Sequence, residues 1–265
     1  LKSGLPAKVQ LNIDAVDGST AGLIQAYGRS IIQDFSNEIA VSTREVTLAT
    51  APGIAIIPAS WYNPNLDYIK YMVPGILVVL VSMIGMFLSG MNIVREREIG
   101  TIEQLNVTPL KRHQFIIGKL LPFWIIAMFE LALGLAIARY GFDIPFVGSV
   151  LLLFAIAGIY LLVVQGLGLF ISTITETQQQ AMFIAWFLMV VFILMGGLFT
   201  PIESMPGWAQ QLTLANPIAH FIKIMRMVLL KGAGWAEVQY LVGLLTLMAF
   251  VILPSAVLRY RKSTG

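Results

Sequence analysis

Glu130 is the one carboxylate deep inside an apolar stretch of this sequence, and a group at that depth is costly enough to require a cavity or a partner. It can line a pathway and carry a proton through it, or act as glue between helices, with Gln165 in the next apolar run as its partner. An enzyme would need more than this: a nucleophile with its base, a pair of carboxylates, or converging histidine ligands. The only histidines, His113 and His220, fall in segments expected at opposite faces of a membrane, so they cannot share a site. Cysteine is absent, which removes thiol nucleophiles, thiolate metal sites and disulfides together. Gly118-Lys119 has no glycine-rich loop ahead of it, and Leu88-Ser89-Gly90, which opens like an ATPase signature, lies in an apolar run with Met91 next. Neither a catalytic residue nor a metal site is expected, and no cofactor bound by the chain itself.

The elements that must position these residues are set by composition. Of 265 residues, 57% are hydrophobic and 12% charged, with a mean hydropathy of +0.82, about half the charge of a water-soluble domain. The net charge of +3 does not indicate a nucleic-acid partner, because Lys and Arg gather at the ends of apolar runs, where orientation in a bilayer places them.

Five runs are long enough to span: Val73 to Val94, Phe115 to Ala138, Gly148 to Ser172, Ala181 to Phe199 and Tyr240 to Leu258. Arg95, Arg97, Lys111, Arg112 and Lys119 place the connection after the first run in the cytoplasm, and Arg259, Arg261 and Lys262 place the tail there too. Four crossings separate these basic regions, and an even number returns the chain to its starting side. The first residue is Leu, and residues 1–70 precede the first run on the outer side, so a sixth span is expected ahead of Leu1.

The expected fold class is therefore an all-α polytopic membrane protein, over residues 71–265, with a small extracytoplasmic α/β domain over 1–70. In that domain Val9, Leu11 and Ile13 alternate as in a strand. Leu23, Tyr27, Ile31, Phe35 and Ile39 form a helical stripe expected to be core, and strand-like pieces follow at 46–48 and 54–57.

The stretch from Arg95 to Arg112 is too polar to cross a bilayer, yet it is punctuated like structure. Thr101 with Gln104 fits a capping box, Ile102 and Leu105 share one helix face, and Thr108-Pro109 is an N-cap followed by proline at the first helical position. A stiff elbow near residues 96–108 is expected. A second irregular segment, 200–238, contains Pro201, Pro206 and Pro217; Phe221, Ile222, Met225 and Leu229 oppose Lys223 and Arg226, so it reads as amphipathic. It can close the outer end of a pathway, where protein or a water-filled cavity satisfies its backbone, or lie flat on the surface.

The run from Arg95 to Pro109, with Gly118-Lys119 and Pro122, resembles the inner loop of bacterial ABC-2 type permeases. Trp61 to Asn65, just before Met72 to Gly75, resembles the drug-exporter branch that carries an external domain. The resemblance covers nearly the whole chain. It implies that the elbow is a coupling helix docking into a separate ATPase, with Glu96, Glu98, Gly100, Thr101, Glu103 and Gln104 matching by position. It also implies that Gly196, Gly197, Phe199, Pro201, Pro206, Asn216 and Pro217 belong to outward-facing re-entrant helices. The function implied is ATP-driven export of a drug- or lipid-like molecule across the bacterial inner membrane, with a second permease half, identical or paralogous, and with ATP and Mg held by the ATPase. An ion-coupled secondary transporter using Glu130 is the alternative that the residues themselves leave open.

Overall fold

The computed structural model describes residues 24–35, 67–100 and 112–259, all helical or in turns between helices, with no strand among the described residues. The chain divides into two compact units, Leu1–Tyr71 and Met72–Gly265. In the first, residues 24–35 form a helix, while the strands expected at 9–13, 46–48 and 54–57 lie outside the described residues. The α/β character expected for this unit is therefore not supported. The helix also corrects an expectation about its stripe, because Tyr27 is 70% exposed, Ile31 69% and Phe35 51%. Periodicity specifies that one face is apolar; it does not specify what covers it.

Seven α-helices and a 3-10 turn at Ile202–Ser204 follow among the described residues: α1 (Tyr68–Ile99), α2 (Arg112–Gly141), α3 (Val150–Ile174), α4 (Gln178–Leu194), α5 (Gly207–Thr213), α6 (Pro217–Lys231) and α7 (Trp235–Arg259). Four of them, α1, α2, α3 and α7, are long and apolar enough to cross a membrane. α4 covers most of the fourth apolar run but has only 17 residues, and α5 and α6 form a pair bent by 82°. The five apolar runs thus became four long helices and a shorter one, and the irregular segment 200–238 holds the broken pair.

α3 is the central helix, packed on α2, α4, α6 and most extensively on α7. Its glycines explain how it serves two neighbours at once. Gly166 and Gly168 are two positions apart, so they face opposite sides of the helix. The first takes Ile252 and Leu253 of α7 against its backbone, and the second takes Ser89 and Gly90 of α1. Small residues at a helix contact let backbones approach, which in a bilayer supplies the packing that the hydrophobic effect cannot. Pro74, Pro122 and Pro254 sit inside α1, α2 and α7, as membrane helices tolerate.

α6 departs from the amphipathic surface helix that its sequence allows. Lys223 is its only exposed residue, and Arg226, expected beside it on a polar face, is 7% exposed. The cause is crowding: α3, α4 and α7 all pack on α6, and the backbone between α2 and α3 bonds to it as well, with Val147 and Gly148 N–H groups donating to Leu229 and Val228 carbonyls at 3.0 and 3.1 Å. Its ends are defined by side chains. Asn216 caps the start, accepting from Ile218 and Ala219 N–H at 3.0 and 3.4 Å, with Pro217 at the first helical position. Gly232, at φ +72°, ends it in the left-handed conformation that glycine adopts without steric cost.

Candidate functional site

Two regions at opposite ends of the second unit concentrate its polar contacts. At the C-terminal end of α1, three consecutive side chains each fasten a different element. Glu96 forms an ion pair with Lys119 of α2. Arg97 Nη1 donates to the Thr175 carbonyl at the end of α3 at 2.9 Å. Glu98 accepts from the backbone N–H of Gln178 at 2.9 Å and from its side-chain amide, at the start of α4. The last helical turn of α1 is thereby tied to α2, α3 and α4 at once.

The turn that receives these contacts is itself preorganised. Thr177 caps α4 by accepting from Gln180 N–H at 3.2 Å, and Gln180 Oε1 accepts from Glu176 N–H at 3.1 Å. Thr177 and Gln180 carry the spacing of a capping box, a local signal present in the sequence. The expected elbow box, Thr101 and Gln104, lies outside the described residues, as does Glu103; Gly100 is described and adopts φ +79°.

At the other end, the bent pair is seated by named contacts. Phe221 of α6 stacks on Tyr160 of α3, with ring centroids 4.2 Å apart and planes inclined by 19°. The Tyr160 hydroxyl in turn meets the Ser82 hydroxyl of α1, and both residues are fully buried. Arg226 Nη1 donates to the Gly197 carbonyl at 2.9 Å, and Asn216 Nδ2 donates to the Phe192 carbonyl at 2.7 Å. Gly197 has φ +72°, which turns the chain sharply after α4 and presents that carbonyl. Gly196 and Pro217 are buried with these groups, Pro201 is half-buried, and Phe199 and Pro206 are exposed.

Asn216 therefore caps one helix and satisfies the last turn of another. Asn216→Ala should lose the cap and leave the Phe192 carbonyl without its donor, a destabilisation of about 2–3 kcal/mol. Asn216→Asp keeps the cap and should lose less. The check is a thermal melt of the purified subunit in detergent, in which the alanine variant should melt several degrees lower and the aspartate variant between it and the parent.

Glu130 and Gln165 do not pair as expected. Glu130 is half-buried on α2, and its Oε2 has no hydrogen-bond partner. Gln165 is wholly buried on α3, and neither Nε2 nor Oε1 has one. The contacts that sequence reasoning missed altogether are Tyr160 with Ser82, Arg97 with Thr175, and Glu98 with Gln178. Only the first carries a signal, since hydroxyls within otherwise apolar spans need partners. No group of His, Asp and Glu able to hold a metal occurs among the described residues.

The profile of a family described as ABC-2 family transporter protein matches residues 1–258. Among named proteins, the chain is similar to the probable multidrug ABC transporter permease YbhR of Escherichia coli (strain K12), 36% identical over 228 residues, 86% of this chain and 61% of that protein. It is 29% identical over 255 residues to the probable multidrug ABC transporter permease YbhS of the same strain, covering 95% of this chain and 66% of that protein. It is 28% identical over 270 residues to that strain's inner membrane transport permease YhhJ, covering 99% and 70%. The chain thus spans less than two thirds of the length of YbhR and YbhS.

Proposed function

The chain belongs to the ABC-2 family of transporter proteins, and from that premise we propose that it is the membrane domain of an exporter permease driven by a separate ATPase. The observation that carries the reading is the match to that family over residues 1–258. The geometry fits it. A clamp of Glu96, Arg97 and Glu98 joins the root of the cytoplasmic elbow to three other helices, so a push on the elbow cannot move α1 alone. The bent α5–α6 pair, seated at the other end, closes the outer end of the path. The orientation follows from Lys and Arg at the elbow end, facing the cytoplasm. Drug- or lipid-like amphiphiles are the substrate class, the ATPase holds ATP and Mg, and a second permease half completes the path.

One observation favours a second reading: Glu130 is a carboxyl in an apolar span with an unpartnered oxygen, as a proton-coupled carrier would need. Reconstitution separates the two. Full-length subunit in proteoliposomes with its ATPase should move a lipophilic dye only when ATP is present, and the subunit alone should move none under an imposed proton gradient. Gradient-driven movement without the ATPase would assign the protein to secondary transport instead.

A further inference from the structure

Helices α2, α3 and α7 enclose a groove of about 760 Å³ toward the cytoplasmic end. Leu121, Trp124, Ala155, Leu162 and Pro254 are typical of its wall, and Gln165 is the one residue lining it that carries a side-chain amide. Trp124 has already given its N–H to the Gly158 carbonyl at 3.1 Å. Gln165 is different. Both of its amide atoms are buried without a hydrogen-bond partner, which is costly for a polar group.

The volume suits a drug-sized molecule, and an apolar wall with a single polar point is how such sites combine affinity with orientation. A lipid tail alone would fill the groove but leave the amide unsatisfied. A molecule that brings a hydrogen-bonding group to this depth gains what the tail cannot, because Gln165 has three rotatable bonds and can turn its amide from the helix contact toward the groove. We infer that the groove between α2, α3 and α7 binds an apolar molecule of drug size that bears one amide or hydroxyl group, with Gln165 as its polar contact and the bilayer as its source. This deepens the export reading by naming where such a substrate waits, and rests on it only for what happens next: binding needs neither ATP nor the ATPase.

Trp124 reports on the groove from within. The full-length subunit carrying Trp61→Phe, Trp186→Phe, Trp208→Phe and Trp235→Phe retains it as the tryptophan of this region. In phosphatidylcholine nanodiscs, a dibrominated stearamide should quench its fluorescence saturably and with roughly tenfold higher affinity than the matching dibrominated octadecane. Gln165→Leu should abolish that preference while leaving the alkane's quenching in place. Ala155→Phe, which fills the groove from an exposed wall position, should remove saturable quenching by both. Equal affinity for amide and alkane in the parent, an amide preference that survives Gln165→Leu, or saturable quenching that survives Ala155→Phe would each overturn the inference. Dye transport by the same preparations is scored separately, so a protein that binds the amide but exports nothing keeps the site and loses the export reading.

Discussion

Gly168→Leu should abolish folded protein, whereas Gly243→Leu should leave it intact. A Cβ at position 168 would overlap the Ser89 hydroxyl and the Met86 carbonyl of α1 and stand 3.1 Å from the Gly90 nitrogen. Two of those three obstacles are backbone, so no rotamer change relieves them. The Ser89 hydroxyl is also committed, donating to the Gly85 carbonyl at 2.7 Å and reaching the Gln165 carbonyl at 3.3 Å. Overpacking of a core costs about 1–3 kcal/mol where side chains can yield, and more where they cannot. Set against a total stability of about 5–15 kcal/mol, displacement of α1 from α3 removes most of what is available. At Gly243 nothing lies within 4 Å of the added carbon. There leucine should be neutral or better, because glycine inside a helix costs about 1 kcal/mol. Fluorescence-detected size exclusion reads both: the first variant should run as aggregate or vanish, and the second should give the parent peak. A monodisperse Gly168→Leu protein with an unchanged melting temperature would show that α1 and α3 do not approach as described.

The second large effect belongs to Glu103→Lys. On the proposed function Glu103 meets the ATPase, where a contact needs complementary charge, and reversing it would replace an attraction with a repulsion. A loss of about 2 kcal/mol or more at the contact is roughly a thirtyfold loss of coupling. Thr101→Ala acts differently, loosening the elbow by about 1 kcal/mol without touching its charge. Both variants of the full-length subunit should reach the membrane in normal amounts. Glu103→Lys should lose substrate-stimulated ATP hydrolysis and transport, and Thr101→Ala should lose part of each. Normal export by a subunit carrying both changes would move the docking site elsewhere. The clamp behind the elbow explains why a local change should have so wide an effect: Glu96, Arg97 and Glu98 stand at its root and hold three other helices.

The sequence disclosed the long helices because a bilayer imposes a length, and length is countable. Tyr68–Ile99, Arg112–Gly141 and Trp235–Arg259 each contain the apolar run expected there, and Val150–Ile174 takes in all of the run from Gly148 to Ser172 but its first two residues. α6 was not legible in the same way. Arg226 looks like a surface residue in any helical projection, and its buried guanidinium donates to a carbonyl 29 positions away, at Gly197. The Glu96, Arg97 and Glu98 contacts are also long-range, reaching Lys119, Thr175 and Gln178, and charged residues after an apolar run give no hint of which neighbours they hold. The Thr177 cap, by contrast, was local and legible.

The seating of α6 also bears on how the protein is made. Tyr160, Phe192 and Gly197, which hold its ring, its cap and its arginine, all precede Asn216 in the chain, as do Val147 and Gly148, whose N–H groups meet its last turn. A ribosome delivering Pro217–Lys231 has therefore already released every residue named in these contacts. The polar partners of the α6 arginine and cap are thus made before the helix itself, whereas α7, which also packs on it, is made after.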